Sequence, residues 1–254
     1  MKKWMAILLG MLVSVCWAAP GQVTEAGRSA VGAARSYGAA VRSCDMGWAL
    51  DYMYPPIKKA YAERYSSRTG DEATRVRITM GLIKETPEQA RARMDAALKA
   101  LRDHYVNMGR QLAASGVKIE SFSVREPVAE YVVTPPTTVA KTVQRDQRGE
   151  MQVDQIQNGV ERSRLVVLPI TLVVSTPGTR GEGPRRVERR SHIFAIRDER
   201  VNGPVSRAGL TKRETKINQW YFVDANTDVN LLRTFFPNLP QNIILPDGGE
   251  RVLR

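Results

Sequence analysis

Cysteine and histidine are nearly absent from this sequence, with two of each among 254 residues. Cys16 lies in an apolar N-terminal run, which leaves Cys44 as the single thiol of the remainder. One cysteine cannot close an intramolecular disulfide, so the domain must stand on its core. Cys44 reads as a small buried hydrophobe ahead of a free thiol or an intermolecular link. A cysteine nucleophile needs a histidine partner, and neither His104 nor His192 is near it in sequence. Two isolated histidines and one cysteine give no ligand cluster at any usual spacing, so no metal is expected. Gly178, Gly181 and Gly183 are not followed by a helical pattern, which argues against a phosphate-cradling loop. No G-x-S-x-G elbow, internal repeat or low-complexity segment is present. With these signatures missing, no cofactor is expected.

Long apolar runs are lacking too. The N-terminal run from Met5 to Trp17 is about 13 residues, too short for a bilayer core of about 30 Å. With Lys2 and Lys3 before it and Cys16-Trp17-Ala18 at its end, residues 1–18 read as a secretory signal peptide cleaved near Ala18. A lipoprotein reading of Cys16 is weaker, because Val15 stands where a small residue is needed. The chain is therefore expected to be exported, periplasmic or secreted, with no transmembrane helix in its mature form. Acidic residues are outnumbered: the formal charge is +12, or about +10 without Lys2 and Lys3. Export makes nucleic acid an improbable partner for that charge. Anionic envelope surfaces and acidic glycans fit it, although a basic surface that only keeps the chain soluble is the simpler reading.

What the sequence does contain is organised around Arg164 to Thr176, RLVVLPITLVVST. From Leu165 to Val174 it is apolar but for one threonine, which predicts a long strand buried on both faces. Pro169 in its middle lacks a ladder donor and predicts a bulge there or an edge position. Before it, residues 19–30 are expected to be a flexible lead, and residues 31–254 one domain. Ala33, Tyr37, Ala40, Val41, Cys44, Trp48 and Tyr52 recur at helical spacing, with Asp45 marking a break into two helices. Pro55-Pro56 is expected to end this run, and Ile57 to Tyr65 resumes a helical pattern. Thr86 suits an N-cap, Pro87 the first helical position, and Gly116 a stop, which predicts a helix of about 28 residues. After Gly116 the period is that of strands: Val117–Val124, two pieces within Ala129–Val143, Met151–Gln157, the central run, Arg186–Ile196 and Ile217–Asp224. On the last, Trp220 and Phe222 share one face and Tyr221 and Val223 the other. Val229 to Phe236 reads as a short helix before a proline-rich tail. Helices first and antiparallel strands after predict an α+β fold with helices on one face of a curved sheet.

Several segments in this order resemble the NTF2-like (cystatin-like roll) superfamily, and within it a loose group of exported bacterial proteins of unknown function. They are Asp51-Tyr52-Met53-Tyr54-Pro55-Pro56, Leu168-Pro169-Ile170-Thr171, Gln219 to Asp224, and the tail from Leu231-Leu232 through Phe236-Pro237 to Leu245-Pro246. The resemblance covers about two-thirds of residues 31–247 and departs from the pattern by insertions near 66–84 and 128–160. It implies N-terminal helices packed on a strongly curved antiparallel sheet, forming a cone.

Enzymes of that superfamily place an acid, a histidine or a tyrosine inside the cone, and the nearest candidates are Asp45, Asp51, Tyr52 and Tyr54. A buried carboxylate beside a tyrosine can act as acid or base. The plainer reading makes Asp45 a helix break and the tyrosines core residues with a wet hydroxyl. Pocket candidates for a small apolar ligand are Trp48, Asp51, Tyr52, Tyr54, Trp220 and Phe222. Arg185, Arg186, Arg189 and Arg190 could contact a polyanion, against a solvated strand end as the plainer reading. The sequence thus favours a non-enzymatic exported binding or interaction module, with an envelope protein, a small apolar ligand or a second copy docked on the sheet face as partner. The alternatives are an isomerase- or dehydratase-type enzyme using an acid and a tyrosine, and a basic envelope-associated module that binds anionic polymers.

Overall fold

A computed structural model describes residues 23–69, 80, 84–134, 140–145, 151–156, 162–178, 183–199, 218–224 and 229–253. The expected signal peptide, most of 66–84, parts of 128–160 and most of the stretch between the expected strands Arg186–Ile196 and Ile217–Asp224 lie outside these residues. Among the described residues the fold is α+β, with five helices and an antiparallel six-stranded sheet that does not close on itself. The helices are α1 (Glu25–Arg42), α2 (Met46–Asp51), α3 (Pro55–Thr69), α4 (Pro87–Ala114) and α5 (Val229–Phe235). The strands are β1 (Lys118–Val124), β2 (Ala129–Val133), β3 (Ala140–Arg145), β4 (Met151–Ile156), β5 (Arg162–Thr176), β6 (Arg185–Glu199), β7 (Trp220–Asp224) and β8 (Gly249–Leu253). Among the described residues, β3 and β4 pair only with each other. No described helix is long and apolar enough to cross a membrane.

β5 and β6, each 15 residues long, pair without interruption from Arg162–Glu199 to Thr176–Arg185. On the far side of β5, β1 covers Ile170–Ser175 and β2 covers Ser163–Val167. On the far side of β6, β7 covers Ile193–Arg197 and β8 covers Arg186–Arg190. β5 is thus central, not an edge, and its pairing with β6 carries no bulge at Pro169. The irregularity falls on the neighbour instead. The Pro169 carbonyl accepts from the Arg125 amide, so the position lacking a donor faces the break between β1 and β2, where no ladder bond is needed.

Leu165, Val166, Val167 and Leu168 are fully buried, as expected for a strand covered on both faces. Leu165 and Val167 join Phe194, Ile196, Tyr221 and Val223 under residues of α2, α3, α4 and α5. Val166 and Leu168 join Ala195, Trp220 and Phe222 under Ala30 and Ala34 of α1. The helices therefore flank both faces, which corrects the expectation of one helical face. The physical reason is the sequence of β5 itself, since ten nearly unbroken apolar residues leave two faces to cover. The same cover closes this half of β5 to the expected docking of a second copy.

The chain passes between the two faces at Tyr52–Tyr54. Met53 makes a parallel bridge to Phe222, and the Tyr52 carbonyl accepts the Phe222 amide at 2.8 Å. This segment caps the free edge of β7 and delivers α3 to the other side. Pro55 opens α3 instead of only ending what precedes it, a position where its missing donor is harmless. α1 begins at Glu25, inside the expected flexible lead, because Thr24 caps it by accepting from the Gly27 amide.

The break at Asp45 has a defined geometry. Cys44 takes φ +57, its amide reaches the Val41 carbonyl, and the Asp45 amide reaches that of Ala40. This is a Schellman ending with cysteine in the left-handed position that glycine usually holds. The Asp45 carboxylate then accepts from the Trp48 amide at 3.0 Å and caps α2. α4 has its expected N-cap at Thr86, which forms a capping box with Gln89, and Gly116 at φ +75 beyond its end. It packs directly on the Cys44 turn, where a Cβ on Gly109 would lie 2.2 Å from the Cys44 carbonyl oxygen.

Gly109→Ala is therefore expected to lower stability in urea unfolding by about 1–3 kcal/mol, since backbone must yield. Gly32→Ala, on the exposed side of α1 with open space around it, is expected to raise stability by about 0.5–1 kcal/mol. Equal effects of the two substitutions would refute the close helix approach.

Candidate functional site

At the end of the sheet where β5 begins and β6 finishes, the alternation of each strand sorts its polar residues between the faces. Ser163 and Asp198 point toward the α3 side. Ser163 Oγ donates to Asp198 Oδ1 at 2.5 Å and Tyr54 OH to the same oxygen at 3.3 Å. All three are buried, and burial together with the Asp198 charge raises the Tyr54 hydroxyl well above its ordinary value. This cluster lines neither the cavity at Thr24 and Ser29 nor the one at Cys44 and Gly109. Its role is to satisfy a buried carboxylate and tie the start of α3 to the sheet.

The α1 side is charged. Glu199 accepts from Arg162 Nε at 2.9 Å, from Arg164 Nε at 2.8 Å and Nη2 at 3.2 Å, and from Arg197 Nε at 3.2 Å. Arg164 Nη1 also donates to Glu130, whose second oxygen accepts from Thr24 Oγ1 at 2.5 Å. The Arg197 guanidinium lies 4.6 Å over the Trp220 ring, and Trp220 Nε1 donates to Ser29 Oγ at 3.0 Å. These contacts form a circuit that leaves α1 at Thr24, crosses β2, β5, β6 and β7, and returns to α1 at Ser29. Beside it lies a cavity of about 410 Å³ lined by Thr24, Glu25, Ala26, Ser29, Arg164 and Arg197. The first amides of α1, those of Glu25 and Ala26, have no partner inside the helix. The wall therefore offers hydroxyls, amides and guanidiniums to a ligand rich in hydrogen-bond acceptors.

The sequence-derived candidates do not converge on this cavity. Trp48 and Tyr52 stack on each other, with ring centroids 4.0 Å apart. Asp51 is exposed and paired with Arg102 at 3.0 Å. Tyr54 is on the opposite face from Trp220 and Phe222. Phe222 is buried against Tyr37, at 4.8 Å between centroids. Trp220 alone touches the polar circuit. Of the four strand arginines, Arg186 pairs with Glu120, Arg189 with Glu250 and Arg190 with Glu188, while Arg185 is exposed at the strand start. His104 rests against Tyr65 on the helices and His192 against Phe194 on β6. No group of three or more histidine, cysteine, aspartate or glutamate residues could hold a metal among the described residues.

Apart from Trp220, the residues of the circuit are not among the sequence-derived candidates, because the strand expected over Arg186–Ile196 stops one residue short of Arg197. The available signal was Arg162-Ser163-Arg164 opposite Arg197-Asp198-Glu199, two charged tripeptides that a hairpin register places side by side. Compared with protein-family models, curated proteins and solved structures, the chain matches none.

Burial pushes the Glu199 carboxyl up, but hydrogen bonds from Arg164 and Arg197 outweigh it and hold the group down, from 4.5 to about 2. A carboxylate depressed in the folded state stabilises the fold above its unfolded pKa and loses that contribution as pH falls toward the folded value. The melting temperature is thus expected to drop between about pH 4.5 and 2. Glu199→Gln should lower it at neutral pH and flatten that acid limb in calorimetry. An unchanged acid limb in the variant would remove Glu199 from the account.

Proposed function

We propose that the chain is an exported, non-enzymatic binding domain of NTF2-like type, and that its ligand seats in the cavity between the first turn of α1 and the β5–β6 end. The observation that carries this reading is the polar circuit from Thr24 to Ser29 beside a cavity large enough for a small molecule. Arg164 and Arg197 are held in place by Glu199 and so present fixed donors, which favours a ligand with carboxylate, carbonyl or hydroxyl groups over an apolar one. Export rests on the signal segment at residues 1–18, and the NTF2-like assignment on the resemblance in segment order.

The isomerase or dehydratase reading has less support. Its acids have other work, Asp45 as a helix cap and Asp51 in a surface ion pair. Its best tyrosine, Tyr54, is engaged with Asp198 beneath α3.

Native mass spectrometry of the mature protein, purified from its own cell envelope, tests the proposal. A small mass that survives mild activation is expected, and it should be weakened by Ala26→Leu, which narrows the cavity, and by Ser29→Ala. A bare chain, or a retained mass indifferent to Ala26→Leu, would overturn it.

A further inference from the structure

On α1, Arg28, Arg35 and Arg42 recur every seven residues and are all exposed. Seven residues make nearly two turns, so the three side chains follow one flank of the helix at intervals of about 10 Å. Around the helix they lie next to Gly27 and Gly38, which face Pro127 and Phe122, so the row borders the β1–β2 side of the sheet. Glu25 is the one acid of the helix and sits off the row. Other exposed arginines divide: Arg102 is held by Asp51, Arg186 by Glu120 and Arg190 by Glu188, while Arg91, Arg110 and Arg185 stand exposed without forming such a row. Among the described residues, none of the three on α1 has a carboxylate at ion-pair distance, and Arg28 bonds instead to the Val23 carbonyl at 3.1 Å. The neighbouring outward positions Gly32, Ser36, Ala39 and Ser43 are small, so an extended chain meets no side-chain obstruction along the helix.

We propose that this flank of α1 is a docking surface for a linear polyanion whose carboxylate, sulfate or phosphate groups run along the arginine row. A straight row matches a chain-like partner. A lipid surface is disfavoured because the apolar line of α1, Gly27, Ala30, Ala34 and Gly38, is already buried on the sheet and has nothing to insert. Arg28 adjoins Ser29 of the cavity, whereas Arg35 and Arg42 stand about two and four helical turns further along, so loss of polymer binding in Arg35→Glu with the small ligand retained distinguishes the two sites.

The test uses the mature chain with fluorescently labelled poly-L-glutamate and dextran sulfate, followed by anisotropy at increasing salt. At least one polymer is expected to bind, with log affinity falling linearly against log salt concentration as counterions are released. The triple variant Arg28→Gln, Arg35→Gln, Arg42→Gln should weaken binding by at least about tenfold and flatten the salt slope. The triple variant Arg91→Gln, Lys99→Gln, Arg110→Gln removes the same charge from exposed positions of α4 and should stay within about twofold of the parent. Arg35→Glu alone provides a second readout, expected to weaken binding while leaving the melting temperature unchanged. Equal losses in the two triple variants would reduce the effect to net charge and overturn the proposal. So would full binding by the α1 variant, binding of neither polymer, or binding only to vesicles containing phosphatidylglycerol.

Discussion

The pairing of β5 with β6 is the interaction on which the other elements depend. Each strand presents apolar residues to both sides over Leu165–Leu168 and Ile193–Ile196, and a hairpin of that kind cannot be left with either face in water. One face is covered by α1 with small residues, Ala30 and Ala34, and the other by larger residues from the later helices and the tail, such as Leu232 and Phe236. The crossing at Tyr52–Tyr54 is the consequence: a chain that must cover both faces has to pass an edge, and here it caps β7 as it does so.

The polar end of the hairpin follows from the same register. Where the apolar run stops, alternation places Arg164, Arg197 and Glu199 under the first turn of α1 and Ser163 and Asp198 under α3. Each face receives a cluster that satisfies its own buried groups. On the α1 side the three arginines around Glu199 exceed what one carboxylate needs: Arg164 also bonds Glu130, Arg197 lies over Trp220, and both still line the cavity. The result is a rigid polar wall beside a cavity, which is the property a binding site requires. The arginine row on α1 is the complementary case, charge held at regular intervals with, among the described residues, no carboxylate at ion-pair distance.

Much of the fold was legible in the sequence where local chemistry and tertiary demand agree. Thr86, Pro87 and Gly116 bound α4 because caps act through neighbouring amides and need no distant partner. The two faces of β7 follow from alternation alone, and the burial of Leu165–Leu168 follows from uniform apolarity, whereas Leu172–Val174 of the same run are only half-buried. What was hidden depended on long-range register. Pro169 sits in a central strand because β1 and β2 separate opposite it, which no local pattern announces. Placing helices on one face overlooked that a strand apolar on both faces demands two layers. β8 was unread in the tail because its pairing with β6 is supplied entirely by Arg186–Arg190. The candidate site was the least legible part. Its residues are scattered from Thr24 to Trp220, and only the β5–β6 register brings the two charged tripeptides together.

Native-state hydrogen exchange measures the central claim most directly. If the doubly covered hairpin holds the molecule together, the slowest amides will be those of Leu165–Leu168 and Ile193–Ile196, exchanging only through global unfolding. The largely exposed α4 should open earlier, its protection fading toward Pro87. Slowest exchange in α4, with β5 and β6 opening first, would contradict the account and move the organising element from the sheet to the helices.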